Sequence, residues 1–381
     1  MTYLFLIAAF NAIFFALLIL QKKNALHDRI LIVWLFYLGF YVGTYALFAD
    51  RLFAAYPILA ASFISLVMLH GPFMLLYVKA LTNAEFKLRS ILCNGQWAHF
   101  LPFLLFNGYL LIGSAMPGIA ERLTLDHTHP AGEAPFLFNF FLVLTAISGP
   151  VYILLTIYSF RKLDVNIFNN FSTRENVDLD WLRKLVYSFG AIWTLFIIFA
   201  TIHHIFHLFT WSFCTDGLFL SLSLFIILIG YFGLKQREIF VQKAGRKLEY
   251  VTEEKVKYSG LALRNEDADN HISRLKSFLE TEKPYLEPGL TLPDLANSLD
   301  IPAHVLSRVI NEKLGLNFFD LINGYRVEHV KTLLADPKND HLSLLGMAFE
   351  SGFNTKSAFN RVFKNRTGIT PSEYKKNHYL L

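Results

Sequence analysis

The chain has 381 residues, 54% of them hydrophobic and 16% aromatic, with 35 Lys and Arg against 30 Asp and Glu. That is too apolar for an entirely soluble chain of this length. Two cysteines and no CxxC or Cys/His finger spacing exclude a disulfide framework and the usual structural zinc sites. The apolar excess is concentrated: it fills the chain to about Leu234, and from Lys235 onward the sequence has the mixed charge of a soluble domain.

A helix needs about 20 apolar residues to cross the hydrocarbon core. Seven runs meet that length, centred on Thr2–Leu20, Ile30–Ala49, Pro57–Val78, Trp97–Ser114, Phe136–Phe160, Leu185–Leu208 and Phe213–Leu234. The first has no cation before it and Lys22 and Lys23 after it, which reads as an uncleaved span rather than a signal peptide. Lys and Arg accumulate in alternate loops: Lys22, Lys23, Arg29, Lys79, Lys87, Arg89, Arg161, Lys162, Arg174, Arg183 and Lys184 on one side, Arg51 and Arg122 on the other. Such a bias marks the cytoplasmic side, so the N-terminus is expected outside and everything after Leu234 in the cytoplasm. The expected location is therefore the bacterial inner membrane, with residues 1–234 as a multi-pass input domain.

Residues 235–267 read as a polar, part-helical juxtamembrane linker whose cations suit anionic lipid. After a helix near Ala268–Thr281, "LTLPDLANSLDIPAHVLSRVINEKLG" carries a short helix, a break at Asp300–Pro302 and a second helix to about Lys313. Alone this is a common helical hairpin. A shift of 53 positions, however, lays "RVINEKLG" from Arg308 onto "RVFKNRTG" from Arg361, and "LPDLANSL" pairs with "LLGMAFESG" upstream at an offset about one residue shorter. The pattern predicts two helix-turn-helix units. Between them, 317–335 has helical apolar spacing over roughly 28 Å. That suits two recognition helices near the roughly 34 Å repeat of the major groove on one DNA face.

The second unit continues into Thr367-Gly368-Ile369-Thr370-Pro371-Ser372-Glu373-Tyr374, and with it residues 268–381 closely resemble the AraC/XylS-type DNA-binding domain. "GPFMLLYVKAL" from Gly71 and "HFLPFLLF" from His99 resemble the seven-span input domain of membrane-anchored regulators of that family. The implied fold is all-α: a seven-helix transmembrane bundle followed by a cytoplasmic double helix-turn-helix domain.

The resemblance puts His304, Ser307 and Arg308 on the readout face of the first recognition helix, and Lys356, Ser357, Asn360 and Arg361 on that of the second. Arg can donate two bonds to guanine, Asn can pair with adenine, and Ser can serve either base. Lys313 in the first unit and Lys364 and Arg366 in the second are candidate phosphate contacts. Leu292, Leu295, Ala296, Leu299, Leu306, Val309 and Ile310 are expected in the core, as are Leu344, Leu345, Ala348, Phe349, Phe353, Phe359, Val362 and Phe363.

In the membrane half, His70 stands mid-span before Gly71-Pro72, where a kink would open room for a ligand. His203 and His207 are one turn apart, a spacing that can bind a metal, although interfacial histidines with no such role satisfy the same pattern. No cofactor motif or nucleophile-base set is visible, which points away from an enzyme. The expected partners are double-stranded promoter DNA, the lipid bilayer, RNA polymerase and a small-molecule or envelope signal, and a homodimer fits the same reading. The alternative is a membrane transporter or enzyme with an appended regulatory DNA-binding domain, but acidic residues before Leu234 fall only in loops or at span ends.

Overall fold

The computed structural model describes residues 1–21, 25–48, 56–83, 86–93, 95–116, 136–174, 179–206, 211–236, 251 and 265–378. Every regular element among them is helical. The chain divides into two compact units, Met1–Phe160 with Leu179–Glu238, and Arg161–Asp178 with Ile239–Leu381.

The first unit contains α1 (Thr2–Leu20), α2 (Leu26–Phe48), α3 (Pro57–Ser65), α4 (His70–Thr82), α5 (Leu88–Cys93), α6 (Leu101–Ser114), most of α7 (Phe136–Asn170), α8 (Asp180–Phe206) and α9 (Trp211–Lys235). Seven stretches among the described residues are long and apolar enough to cross a membrane. Small residues let α1 approach its neighbours: Ala8, Ala12 and Ala16 are buried, while Ile7 and Phe10 point outward at 61% and 67% exposure. An apolar outer surface is what lipid contact requires and what water would penalise.

Two of these helices contain a proline whose missing N–H leaves a backbone carbonyl without its helical donor. The third span is α3 and α4 joined by a 3₁₀ turn, Leu66–Leu69, because Pro72 has no N–H for the carbonyl of Met68. Pro150 lies inside α7 and similarly frees the carbonyl of Ala146. Here the Nε1–H of Trp193 on α8 supplies the missing donor at 3.3 Å. Gly149 makes room for that indole, since a Cβ there would lie 2.3 Å from it. In lipid every backbone group has to be satisfied within the protein.

Sequence periodicity ends the fifth span near Phe160, whereas α7 continues to Asn170, and its last ten residues belong to the second unit. Phe160, Leu163 and Ile167 are buried at helical spacing, which gives the extension an apolar stripe of its own.

The second unit contains α10 (Asn265–Thr281), a 3₁₀ turn at Pro284–Leu286, α11 (Leu292–Ser298), α12 (Ala303–Leu314), α13 (Phe318–Ala335), α14 (Leu344–Glu350), α15 (Lys356–Thr367) and α16 (Pro371–His378). Two apolar cores share α13. Phe318, Leu321 and Ile322 join Leu292, Leu295, Leu306 and Ile310 in one. Phe319, Val327, Val330 and Leu334 join Ala348, Phe353, Phe359 and Phe363 in the other. Most of the expected core residues are buried, but Leu344 and Leu345 are only half-buried and Phe349 faces outward. Phe349 is 46% exposed, and Met347 takes the inward place, because a helix of only seven residues turns a single narrow face to the core.

Candidate nucleic-acid interface

The duplication seen in the sequence is repeated in geometry. α12 and α15 begin at Ala303 and Lys356, the predicted 53 positions apart. Before the first, Ile301 N–H donates to Ala296 O at 3.0 Å, and before the second, Phe353 N–H donates to Ala348 O at 3.0 Å. Each turn has one left-handed residue, Asp300 at φ 52° and Gly352 at φ 87°. Capping sets the ends. Thr291 Oγ1 accepts from Asp294 N–H, and Thr355 Oγ1 accepts from Ala358 N–H at 3.2 Å. Gly315 and Gly368 close α12 and α15 in left-handed conformations. Thr370 and Glu373 form a reciprocal capping box at the start of α16, and the Thr370 backbone N–H holds the Glu373 carboxyl below its usual pKa.

α15 buries Phe359, Val362 and Phe363 and exposes Lys356, Ser357, Asn360, Arg361, Lys364 and Arg366. All six residues predicted for this helix therefore reach solvent. Positions 356 and 360, and 357 and 361, lie one turn apart on a common face. Among the described residues, no carboxylate pairs with Lys356 or Arg361. The Arg366 guanidinium reaches back over α13, where its Nη2 lies 2.6 Å from where a Cβ on Gly324 would be.

The first helix-turn-helix motif offers less. His304 and Arg308 are half-buried, and Arg308 Nε is paired with Glu312 Oε1 at 2.8 Å. Lys313 Nζ pairs with Asp269 at 2.9 Å. Ser307 is only 3% exposed, so it sits on the inner side of α12 with Leu306 and Ile310 rather than on the outer face with His304. The family pattern fixes a position along the helix, while local packing decides which side chains at its margin are covered.

Residues that sequence reasoning missed link the two helix-turn-helix motifs within the second unit. Arg326 on α13 is 1% exposed. Its Nε donates to Tyr285 O at 2.7 Å and its Nη2 to Glu287 O at 2.8 Å, in the segment leading into α11. Its guanidinium carbon stands 6.0 Å from the ring centre of Phe353, at the turn of the second unit. Ser172 completes the set: its carbonyl accepts from Arg326 Nη1 at 3.2 Å and from Asn323 Nδ2 at 2.9 Å, and its Oγ accepts from Arg326 Nη2 at 3.0 Å. The available signal was an Asn and an Arg three residues apart within an otherwise apolar helical stripe.

The helix-turn-helix domain family matches residues 295–377, which span α12 to α15, all but the last residue of α16 and all but the first three of α11. The second unit carries an AraC-type helix-turn-helix domain. Among curated relatives, the uncharacterized HTH-type transcriptional regulator YijO of Escherichia coli (strain K12) is 29% identical over 111 residues, 28% of this chain and 38% of its own. The melibiose operon regulatory protein of the same organism is 26% identical over 109 residues, 29% of this chain and 34% of its own. An uncharacterized HTH-type transcriptional regulator of Staphylococcus aureus (strain COL) is 25% identical over 142 residues, 37% of this chain and 18% of its own. The chain thus spans 18% to 38% of the length of these relatives. No solved structure matches it.

In the first unit His70 is 1% exposed. The rings of Tyr37, Tyr41 and Phe189 surround it, and its Nδ1 has no hydrogen-bond partner among the described residues. The His207 position and the His203 side chain lie outside the described residues.

Proposed function

We propose that the chain is a membrane-bound, sequence-specific transcription regulator in which an envelope or lipid-phase signal received by residues 1–234 alters promoter binding by residues 268–381, with 235–267 as linker. The observation that carries this reading is the exposed Lys356, Asn360 and Arg361 face of α15 in a duplicated helix-turn-helix domain, on a chain with seven apolar helices. The names of the relatives agree with a regulatory role for the domain. The loop charges support an outside N-terminus and a cytoplasmic DNA-binding domain. His70, buried with an unpartnered Nδ1, is one place in this unit where a signal molecule would find a hydrogen-bonding group. RNA polymerase at the bound promoter would be the downstream partner.

The test joins location to binding. Membranes carrying the intact chain are floated on a density gradient, and the DNA crosslinked to it in cells is sequenced. A reporter that works only in the cytoplasm is fused in parallel after Lys162, Lys243 or Arg122. The reading expects flotation, enrichment of discrete promoters, and activity at the first two fusions but not the third. Reporter activity after Arg122, or enrichment of no promoter, overturns it.

A further inference from the structure

Ser172 makes five hydrogen bonds to the helix-turn-helix domain, although more than a hundred residues of sequence intervene. Besides the three accepted from Asn323 and Arg326, its N–H and Oγ–H both donate to Leu290 O, at 3.2 and 2.7 Å. Its neighbours add to the contact. Phe171 forms an isolated antiparallel bridge with Thr291, the cap of α11. The Phe168 ring meets Phe319 on α13 edge-on at 5.3 Å, and Asn170 exchanges side-chain hydrogen bonds with the backbone of Val251 in both directions at 2.7 Å. All of this lies within the second unit, and the segment responsible is the end of α7, whose earlier turns are one of the seven apolar helices.

The place of contact matters more than its size. Ser172, Asn323 and Arg326 are each at most 3% exposed, so withdrawing the backbone and side chain of Ser172 from them would strip buried donors of acceptors, which is costly. Arg326 is also the side chain that reaches the lead-in to α11 on one side and Phe353 on the other. Ser172 completes the hydrogen bonds of the side chain that lies between the two helix-turn-helix units. A small cleft beside it is lined by Ser172, Arg174, Phe353, Asn354, Ala358 and Arg361, which brings the segment to the edge of α15. Arg361 itself stays exposed with the segment in place, so the docked form is open to DNA.

We propose that Phe168–Arg174 is the output contact of the membrane half: docked on Asn323 and Arg326 it holds the two helix-turn-helix units in the arrangement that binds two successive major grooves, and movement of α7 withdraws it. This rests on the DNA-binding reading above. The device is bistable because the acceptors are supplied by a segment outside the domain, so one displacement unties several bonds together.

The experiment uses the full chain in lipid nanodiscs, as wild type and as Phe168→Ala with Ser172→Pro, which removes the ring contact and the Ser172 N–H and Oγ while leaving the domain's own residues intact. Ser172→Thr, which keeps the hydroxyl, is the conservative control. Amide hydrogen exchange is read over 284–292 and 318–327. Affinity is measured on a duplex enriched by the intact chain in cells and on a random-sequence duplex of equal length. The double variant is expected to exchange at least about ten-fold faster in both windows and to lose at least about ten-fold in affinity on the enriched duplex, with less than about a two-fold change on the random one. Ser172→Thr should stay near wild type. Unchanged exchange, unchanged preference for the enriched duplex, or tighter specific binding in the double variant overturns the proposal. If the wild type itself prefers no duplex, the DNA reading fails separately, while the exchange arm still reports whether the segment clamps the domain.

Discussion

Gly352 lies so close to Tyr285 that a Cβ on the glycine would be 2.4 Å from the tyrosine carbonyl oxygen. The contact joins the turn of the second helix-turn-helix unit to the backbone that feeds the first, beside the Arg326 bond to the same carbonyl. Gly352 also has φ 87°. Gly352→Ala should therefore cost about 2 kcal/mol or more, from left-handed strain and from backbone that has to move. Gly368→Ala is the control: φ is 82° but a Cβ would meet nothing within 4 Å, so only about 1 kcal/mol is expected. Hydrogen exchange across α13 to α15 in the two variants measures the difference.

On the proposed function, Arg361 would read bases and Lys364 would contact phosphate. Both are exposed on α15. Arg361→Ala should cost about 1–3 kcal/mol on a preferred promoter and little on random DNA. Lys364→Ala should weaken both to a similar degree and lower the slope of log affinity against log salt by about one. Titrations at several salt concentrations on the two duplexes decide it. Equal losses on both for Arg361→Ala would remove that residue from the groove.

His329 makes the second unit sensitive to acid. Its Nδ1 is 3.0 Å from Ser351 Oγ, and burial first, then the charge of Lys283, push its pKa below 6.5 against the opposing pull of Glu350. The unfolded chain then takes up the proton more readily than the folded one. The contribution is present above pH 6.5 and is lost as pH falls through that value toward the lower folded pKa. Amide exchange in α13 should quicken between about pH 7.5 and about pH 5.5 beyond its intrinsic pH dependence. His329→Gln should flatten that excess.

Trp193 and Pro150 should be energetically coupled. Trp193→Phe removes the donor to Ala146 O and is expected to cost about 1 kcal/mol. In a Pro150→Ala background the helix supplies its own N–H to that carbonyl, and the cost should largely vanish. A double-mutant cycle on unfolding in detergent tests this, and additive effects would assign the indole to packing alone.

The sequence by itself was sufficient for the parts governed by local pattern. Seven apolar stretches follow from composition, because the cost of placing a charge in hydrocarbon keeps Lys, Arg, Asp and Glu out of them. The helix-turn-helix repeat follows from helical spacing, with Gly368 ending α15 and Pro371 starting α16 as the turn pattern requires. The outward set on α15 was legible because its inward neighbours Phe359, Val362 and Phe363 are strongly apolar. Tertiary structure decided what depends on distant partners. Ser307 and Phe349 exchange their expected sides because coverage depends on the neighbouring helix, and α7 outlasts its membrane-length run because its next turns have a surface to bury against. The Asn323 and Arg326 pair in an apolar stripe marked a joint, but its partners were invisible in advance for a simple reason. Its acceptors are chiefly backbone carbonyls, one of them 154 positions away, and every residue type carries a carbonyl, so no side chain in the sequence advertises the bond.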